Sequence, residues 1–185
     1  GSISVQFRGH DHYGNVILML PVAILAGGLG TRLSPITDSL PKVLVPVAGK
    51  PFVLHQLDYL NRQGIKRVVL CIGHRAKQIE EVVGDGSACG LQVQYSRDGE
   101  SLLGTGGAIS KALPILGNDF FVLYGDSFLP VDLGSVQHAY HSSNKPGLMT
   151  VYRNAGRWDS SNVLFEDRKI IEYNKLSSRP EMQYI

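Results

Sequence analysis

The chain has 185 residues, of which 43% are hydrophobic and 18% are charged, and its formal net charge is +2. This size and balance are typical of one soluble globular domain, and no run of Lys or Arg is dense enough to bind nucleic acid. The longest apolar stretch, "VILMLPVAILAG", is interrupted by Pro21 and is too short to span a bilayer. Cys71 and Cys89 are too few for a disulfide framework, so we interpret them as two reduced structural thiols.

The first 18 residues differ in character from the rest of the chain. They are polar and patternless, and Gly1-Ser2 resembles the scar of a removed tag, so we expect residues 1–18 to be a tag or disordered leader. Residues 19–185 are expected to form the domain. No basic region and no small-residue cleavage site accompany the first apolar run, which favours a cytoplasmic protein over a secreted one.

The hydrophobic pattern predicts strands that alternate with helices. Strands are expected, in chain order, at 22–27, 66–73, 91–96, 119–127, 147–153, 162–167 and 169–175. Helices are expected at 52–64, 75–84, 105–116 and 132–143. A turn at Asp167-Arg168 predicts that the last two strands form a hairpin. The alternation predicts an α/β fold, a Rossmann-like three-layer sandwich with a mostly parallel sheet. Ligands of such sheets bind beyond the carboxyl ends of the strands.

The loop "AGGLGTRLSP" follows the first predicted strand and has three candidate interpretations besides a plain tight turn. A dinucleotide-binding fingerprint fails because Leu33 stands at the third glycine position. A P-loop fails because Gly49-Lys50 is followed by Pro51. A nest of backbone N–H groups that binds phosphate remains, with Arg32 as a charged fork and Lys42 as a second cation. The prolines around them fix φ and limit the freedom of the loop.

A longer stretch that includes this loop, "LAGGLGTRLSPITDSLPKVLVPVAGKP", resembles the signature of the sugar-phosphate nucleotidylyltransferases at almost every fixed position. The resemblance implies the nucleotide-diphospho-sugar transferase type of fold. It also implies transfer of a nucleoside monophosphate from a nucleoside triphosphate to a sugar 1-phosphate, with release of pyrophosphate. The segment "GRWDSSNVLFEDRKIIEYNK" is somewhat similar to members that use GTP with mannose or heptose 1-phosphate.

The resemblance assigns roles to individual residues. Arg32 would hold the β- and γ-phosphates, Lys42 the α-phosphate, and Asp126 of "YGDS" a Mg²⁺ ion; these three form the implied catalytic set. The implied nucleotide-binding residues are Ala26, Gly27, Gly28, Gly30, Thr31, Gly104, Thr105 and Gly106. The implied sugar-phosphate ligands are Asn162, Glu172 and Lys175. The family often has Glu-Pro where this chain has Glu100-Ser101, and it usually continues past residue 185 with a second metal-binding aspartate. The domain is therefore expected to lack a C-terminal part.

The implied chemistry fits these residue types. A sugar phosphate is already an anionic nucleophile at pH 7, so catalysis depends on positioning and on charge rather than on a general base. The expected partners are a nucleoside triphosphate and a sugar 1-phosphate, without nucleic acid or membrane, and a homo-oligomer is left open. Two other functions also stay open: a non-catalytic regulatory subunit that senses nucleotide sugars, and a molybdenum-cofactor nucleotidylyltransferase. Asp126 alone could cap a turn, and Lys175 alone could be a surface lysine.

Overall fold

The computed structural model describes residues 18–28, 39–99, 101–154, 156–157 and 160–185. Its strands are β1 (Val22–Leu25), β2 (Pro46–Val47), β3 (Lys50–Pro51), β4 (Arg67–Ile72), β5 (Gln92–Arg97), β6 (Phe121–Tyr124), β7 (Val163–Glu166) and β8 (Lys169–Tyr173). Its helices are α1 (Phe52–Arg62), α2 (Ala76–Val83), α3 (Gly104–Leu116) and α4 (Leu133–Ser143). Within these residues, no helix combines the length and the hydrophobicity that crossing a bilayer requires.

The central sheet has four strands in the order β5-β4-β1-β6. All three strand pairs are parallel, and the register aligns Val22 with Val68 on one side and with Phe121 on the other. Parallel strands that are covered on both faces are apolar throughout. This explains why β1 and β4 appear in the sequence as short apolar runs rather than as alternating patterns.

Helices cover both faces of this sheet. One face packs Val22 and Ile24 against Leu57 and Leu60 of α1 and Ile79 of α2. The opposite face packs a second cluster, in which α3 contributes Ala108, Ala112 and Leu116 against Ala23, Val69 and Cys71. The predicted three-layer α/β architecture with a parallel sheet is therefore confirmed. Cys71 and Cys89 are both free, as predicted.

The chain divides into two compact units, Gly1–Gln137 and His138–Ile185. The first unit holds the central sheet. The second holds the antiparallel pair β7–β8, whose connecting residues Asp167 and Arg168 both have positive φ, at 47° and 61°. Two such residues in succession are typical of the tight turn of a hairpin, so the predicted hairpin is confirmed. The organisation of 19–185 as one domain stays a prediction, and the leader lies almost wholly outside the described residues.

The prediction of a strand at 147–153 is wrong. Within the described part of the chain, Arg153 is the only residue of this segment that forms a bridge, to Tyr184, and the backbones of Tyr152 and Ile185 exchange hydrogen bonds of 2.9 and 3.0 Å. The apolar residues that suggested a strand, Leu148 and Met149, are 41% and 43% exposed. Their hydrophobicity is real, but within the second unit no neighbouring layer buries it.

Candidate active site

A cleft of about 400 Å³ opens in the first unit, beyond the carboxyl ends of β1, β4 and β6 and beside the start of α3. Several of the residues that the sequence predicted for nucleotide and metal binding line this cleft: Ala26, Gly27, Gly28, Lys42, Gly104, Thr105 and Asp126. They come from four separate stretches of chain, and the parallel sheet brings them together because its strand ends share one edge. Gly106 lies one residue further along α3 and does not line the cleft.

Lys42 and Asp126 form an ion pair at this edge of the sheet. The Lys42 ammonium donates a hydrogen bond of 2.6 Å to Oδ2 of Asp126. Lys42 begins a 3₁₀ turn after Pro41, and the turn is fixed because the next two residues, Val43 and Leu44, are buried. Partial burial, the largest influence, raises the pKa of Asp126, but the hydrogen bond and charge of Lys42, together with Ser127, lower that pKa below its usual value. Asp126 is therefore ionised at neutral pH and available to a cation.

Gly125 sets the direction in which the chain leaves β6. Its N–H donates to the carbonyl of Leu25 over 2.9 Å, which extends the β1–β6 pairing by one step. A Cβ at this position would lie 2.7 Å from that same carbonyl oxygen and from a methyl group of Val43, so a side chain has no space. The glycine thus lets Asp126 stand directly beside the turn that carries Lys42.

Gln56 of α1 forms hydrogen bonds to the loop that carries Asp126, a role that the sequence did not reveal. Its buried side-chain amide donates to the carbonyls of Tyr124 and Ser127 over 2.9 and 2.7 Å. These two acceptors bracket Gly125 and Asp126. A single glutamine on an amphipathic helix gives no local signal of such a contact, because its partners lie 68 and 71 residues further along the chain.

The start of α3 lines the cleft, and its backbone N–H groups have no side-chain cap within the described part of the chain. No acidic residue lies in its first turn either. Gly104 has a φ of +68°, a conformation that suits glycine, and Thr105 follows it along the cleft wall. The unpaired N–H groups and the helix dipole make such a terminus suitable for phosphate.

Asp98 is a further residue of the cleft that the sequence analysis did not single out. It follows β5, and it is only 8% exposed although it carries a carboxylate. The N–H of Leu103 donates to its Oδ2 over 3.3 Å, and the Lys111 ammonium donates to its backbone carbonyl over 3.1 Å. Burial and, second, the charge of Asp98 raise the pKa of the neighbouring Cys71 to about 11, so that this thiol stays neutral at pH 7.

The remaining predicted residues fall into two groups. Gly30, Thr31 and Arg32 lie outside the described residues. The three predicted sugar-phosphate ligands belong to the second unit. Glu172 lies in β8 and pairs with Arg179, the ammonium of Lys175 lies 5.9 Å from the centre of the Tyr173 ring, and the backbone of Asn162 pairs with that of Tyr184.

The side chains that line the cleft determine which kind of Mg²⁺ site it can form. Among the described residues, no group of three His, Cys, Asp or Glu side chains is arranged to hold a metal ion by itself. Mg²⁺ commonly takes one or two carboxylates and completes its shell with substrate phosphates and water. The half-buried Asp126 carboxylate, beside a helix start that is suited to an anion, fits that shared mode and does not fit an all-protein cage.

The fold and the cleft together define the class: an α/β protein that presents glycine backbone, a lysine and an aspartate to a cleft beyond a parallel sheet. Comparison with known proteins then gives the family. The family model described as nucleotidyl transferase matches residues 22–159, and the chain belongs to that family.

Three similar proteins illustrate the range within the family. The chain is 41% identical over 114 residues to a D-glycero-alpha-D-manno-heptose 1-phosphate guanylyltransferase of Campylobacter jejuni, covering 62% of this chain and 51% of that protein. It is 42% identical over 110 residues to an N-acetylmuramate alpha-1-phosphate uridylyltransferase of Neisseria meningitidis, covering 59% and 48%. The crystal structure of HddC from Yersinia pseudotuberculosis, complexed with GMP-PN, is 35% identical with a TM-score of 0.59, covering 68% of this chain and 55% of HddC. The chain thus spans about half the length of these relatives.

Proposed function

We propose that the protein is a sugar-1-phosphate nucleotidylyltransferase, which transfers a nucleoside monophosphate from a nucleoside triphosphate to a sugar 1-phosphate. The observation that carries the proposal is the Lys42–Asp126 pair, which stands in one cleft with the uncapped, glycine-rich start of α3. Membership of the nucleotidyl transferase family and the names of the relatives support it.

The reaction requires that one anion attack another, so the enzyme must supply positive charge where the phosphates meet. Lys42 would hold the α-phosphate that is attacked. The N–H groups at Gly104 and Thr105 and the backbone of Gly28 would bind the neighbouring phosphate oxygens. Arg32, which the family resemblance places on the β- and γ-phosphates, would stabilise the departing pyrophosphate. No proton has to be removed from the sugar phosphate, so none of these residues has to act as a base.

Asp126 is the proposed ligand of Mg²⁺, together with phosphate oxygens of the substrate. The ion would supply the charge neutralisation that the triphosphate requires in the transition state. The Ser127 hydroxyl donates to Asp126 Oδ1 over 3.2 Å and so helps to orient the carboxylate.

For the substrates, we infer GTP with mannose or heptose 1-phosphate. The guanylyltransferase of Campylobacter jejuni and the GMP-PN complex of HddC support this choice, whereas the relative from Neisseria meningitidis is a uridylyltransferase. Asn162, Glu172 and Lys175 are the proposed ligands of the sugar phosphate. A cytoplasmic location stays a prediction, and the oligomeric state stays open.

The test is a matrix of the four common nucleoside triphosphates and dTTP against several sugar 1-phosphates, scored by pyrophosphate release with and without Mg²⁺. We expect Mg²⁺-dependent release with GTP and mannose or heptose 1-phosphate. The Asp126→Asn variant should lower that turnover on the order of 10²–10³-fold, as loss of a preorganised charged group does. Nucleotide binding without release for any pair would contradict the enzyme and favour the regulatory subunit instead.

A further inference from the structure

We propose that Arg179 is a further ligand of the sugar 1-phosphate, and that its guanidinium binds the phosphate group. The inference concerns the second unit alone. It deepens the proposed function and rests on it, because it assumes that a sugar 1-phosphate is a substrate. The family resemblance names Asn162, Glu172 and Lys175 for this ligand and does not name Arg179.

The pairing of β7 with β8 places Asn162 and Glu172 on one face of the hairpin. Val163 lies directly opposite Tyr173, and the ladder continues one step further, because the N–H of Asn174 donates to the carbonyl of Asn162 over 2.9 Å. Successive residues of a strand point to opposite faces, and directly opposed residues share a face. Asn162 and Glu172 each adjoin a member of the Val163–Tyr173 pair, so both side chains lie on the other face.

The two cations that follow β8 lie on different sides of this hairpin. Arg179 forms an ion pair with Oε2 of Glu172. The ammonium of Lys175 lies 5.9 Å from the centre of the Tyr173 ring, and Tyr173 belongs to the opposite face. Of these two cations, Arg179 is therefore the one that shares a face with Asn162 and Glu172. A sugar 1-phosphate bound to those two residues would meet the guanidinium.

Hydrogen bonds fix the segment that brings Arg179 back to β8. Oδ1 of Asn174 accepts from two backbone N–H groups further along the chain, over 3.0 and 3.1 Å, which bends the chain directly after the strand. The Ser178 hydroxyl then donates to the carbonyl of Ser161. The carbonyl of Arg179 accepts from the N–H of the buried Met182 over 2.9 Å. Because its backbone is held on both sides, Arg179 needs less ordering when a ligand binds.

The polar groups of a sugar 1-phosphate suit the groups on this face. A planar guanidinium presents several N–H donors that match phosphate oxygens, and it stays charged at neutral pH. A carboxylate and a side-chain amide can bind the hydroxyl groups of the sugar. The side chains of Arg179 and Glu172 are 49% and 37% exposed, so their ion pair is weak and can open. The phosphate would then become the partner of Arg179, and sugar hydroxyls the partners of Glu172.

The test is steady-state kinetics at a saturating concentration of the nucleoside triphosphate, with the sugar 1-phosphate varied and pyrophosphate release measured. Arg179→Gln removes the charge, so the KM for the sugar 1-phosphate should rise about 10–100-fold, as loss of a hydrogen bond to a charged group does. The change in kcat should be much smaller, because this contact is made before and during the reaction. Arg179→Lys keeps a charge without the planar fork and should give an intermediate KM.

A second background separates contact with the phosphate from support of Glu172. If Arg179 binds the phosphate itself, Arg179→Gln should still raise the KM in a protein that already carries Glu172→Gln. If Arg179 only orients Glu172, the effect of Arg179→Gln should disappear in that background. Loss of the effect would overturn the inference.

Controls separate binding from folding and from net charge. Lys169→Gln removes an exposed cation at the other end of β8 and should leave the KM unchanged. The affinity for the nucleoside triphosphate, measured by calorimetry without sugar, should be the same in Arg179→Gln as in the unmodified protein. The thermal unfolding temperature should also change little, because an exposed ion pair contributes little to stability. If Arg179→Gln did not fold, the KM of Arg179→Lys would carry the test.

Two further results would overturn the inference and leave the proposed function intact. The first is turnover with an unchanged KM in Arg179→Gln. The second is a rise of the KM in Lys175→Gln that exceeds the rise in Arg179→Gln, because the phosphate would then lie on the side of Lys175. Failure of the proposed function is a different result: the unmodified protein would release no pyrophosphate with any pair of substrates, and the inference would fall with it.

Discussion

At the scale of single residues, the Lys42–Asp126 pair joins the two charges that the proposed reaction uses. Their side chains are 32% and 40% exposed, so each remains within reach of a ligand while it contacts the other. Without substrate, the ammonium occupies an oxygen that a divalent cation would take. When substrate binds, a phosphate would become the partner of Lys42 and the metal ion the partner of Asp126. The Lys42–Asp126 ion pair can therefore separate.

Lys42→Ala tests this competition. We expect it to raise the affinity of the nucleotide-free protein for Mn²⁺ about fivefold, because an exposed ion pair is worth up to about 1 kcal/mol. Turnover should fall on the order of 10²–10³-fold in the same variant, since the α-phosphate loses its cation. Free Mn²⁺ is measured by electron paramagnetic resonance, and turnover by pyrophosphate release.

Lys50→Ala is the control for that experiment, because Lys50 also pairs with an aspartate, Asp58, at a site that does not line the cleft. It should change neither the Mn²⁺ affinity nor the turnover appreciably. A Mn²⁺ affinity that does not rise in Lys42→Ala, or that rises equally in Lys50→Ala, would contradict competition at Asp126.

At the scale of elements, the Asp126 loop depends on α1 as much as on its own strand. Gln56 donates to two carbonyls that bracket the aspartate, and its own Oε1 is buried without a hydrogen-bond partner in the described structure. That arrangement uses the donor half of the amide and leaves the acceptor half unsatisfied. We interpret Gln56 as a positioning residue for the loop.

Gln56→Met tests that role. The substitution keeps length and volume but removes both hydrogen bonds, so we expect a loss of about 1–3 kcal/mol in the free energy of unfolding, measured with urea. Because the Asp126 loop loses its support, Mn²⁺ affinity should also fall. Gln78→Met is the matched control: its Oε1 is unsatisfied too, but its amide makes one longer contact of 3.4 Å, to Ser39. If the control lost as much stability and Mn²⁺ affinity as Gln56→Met, Gln56 would have no special role.

The elements that the sequence predicted correctly are those whose signal is local. Strand β4 was expected at 66–73 and spans Arg67–Ile72, and α3 was expected at 105–116 and spans Gly104–Leu116. An apolar run or a helical period is contained within such a segment. The strand expected at 147–153 is absent because the prediction used only a local signal. An apolar run does not show whether another layer of the protein will cover it.

The residues of the site differ in the same respect: some lie in motifs that the local sequence shows, and others do not. Lys42 and Asp126 lie in recognisable motifs, and the structure brings them to 2.6 Å from each other. Asp98 and Gln56 were missed because their importance arises from distant contacts: Gln56 with Tyr124, and Asp98 with Gly27 and Gly73. Neither has a neighbour in sequence that marks it. Contacts between strand ends depend on strand order, which the local pattern does not contain.

At the scale of the whole molecule, the two units differ in how much they bury. In the first, five consecutive residues of β4 are buried, and β1 is buried along most of its length. Among the described residues of the second, the buried ones are Asn154, Ser161, Val163 and Met182. Two of these four are polar. Hydrophobic burial supplies most of the favourable free energy of folding, so local stability should be lower in the second unit.

Native-state hydrogen exchange, followed by mass spectrometry, measures this difference. Amides of β1 and β4 should exchange only through global unfolding, because each strand is hydrogen-bonded on both sides within the sheet. Amides of β7 and β8 should exchange faster, because the hairpin has one neighbour per strand and exposes Ile170, Ile171 and Tyr173. Equal protection of the two pairs would show that the second unit is as stable as the first, and that a surface not evident from its own burial stabilises it.

Repeating the exchange with GTP and a sugar 1-phosphate also tests the proposed ligands in the second unit. If Glu172 and Lys175 bind the sugar phosphate, the protection of β8 should rise with both ligands and not with GTP alone.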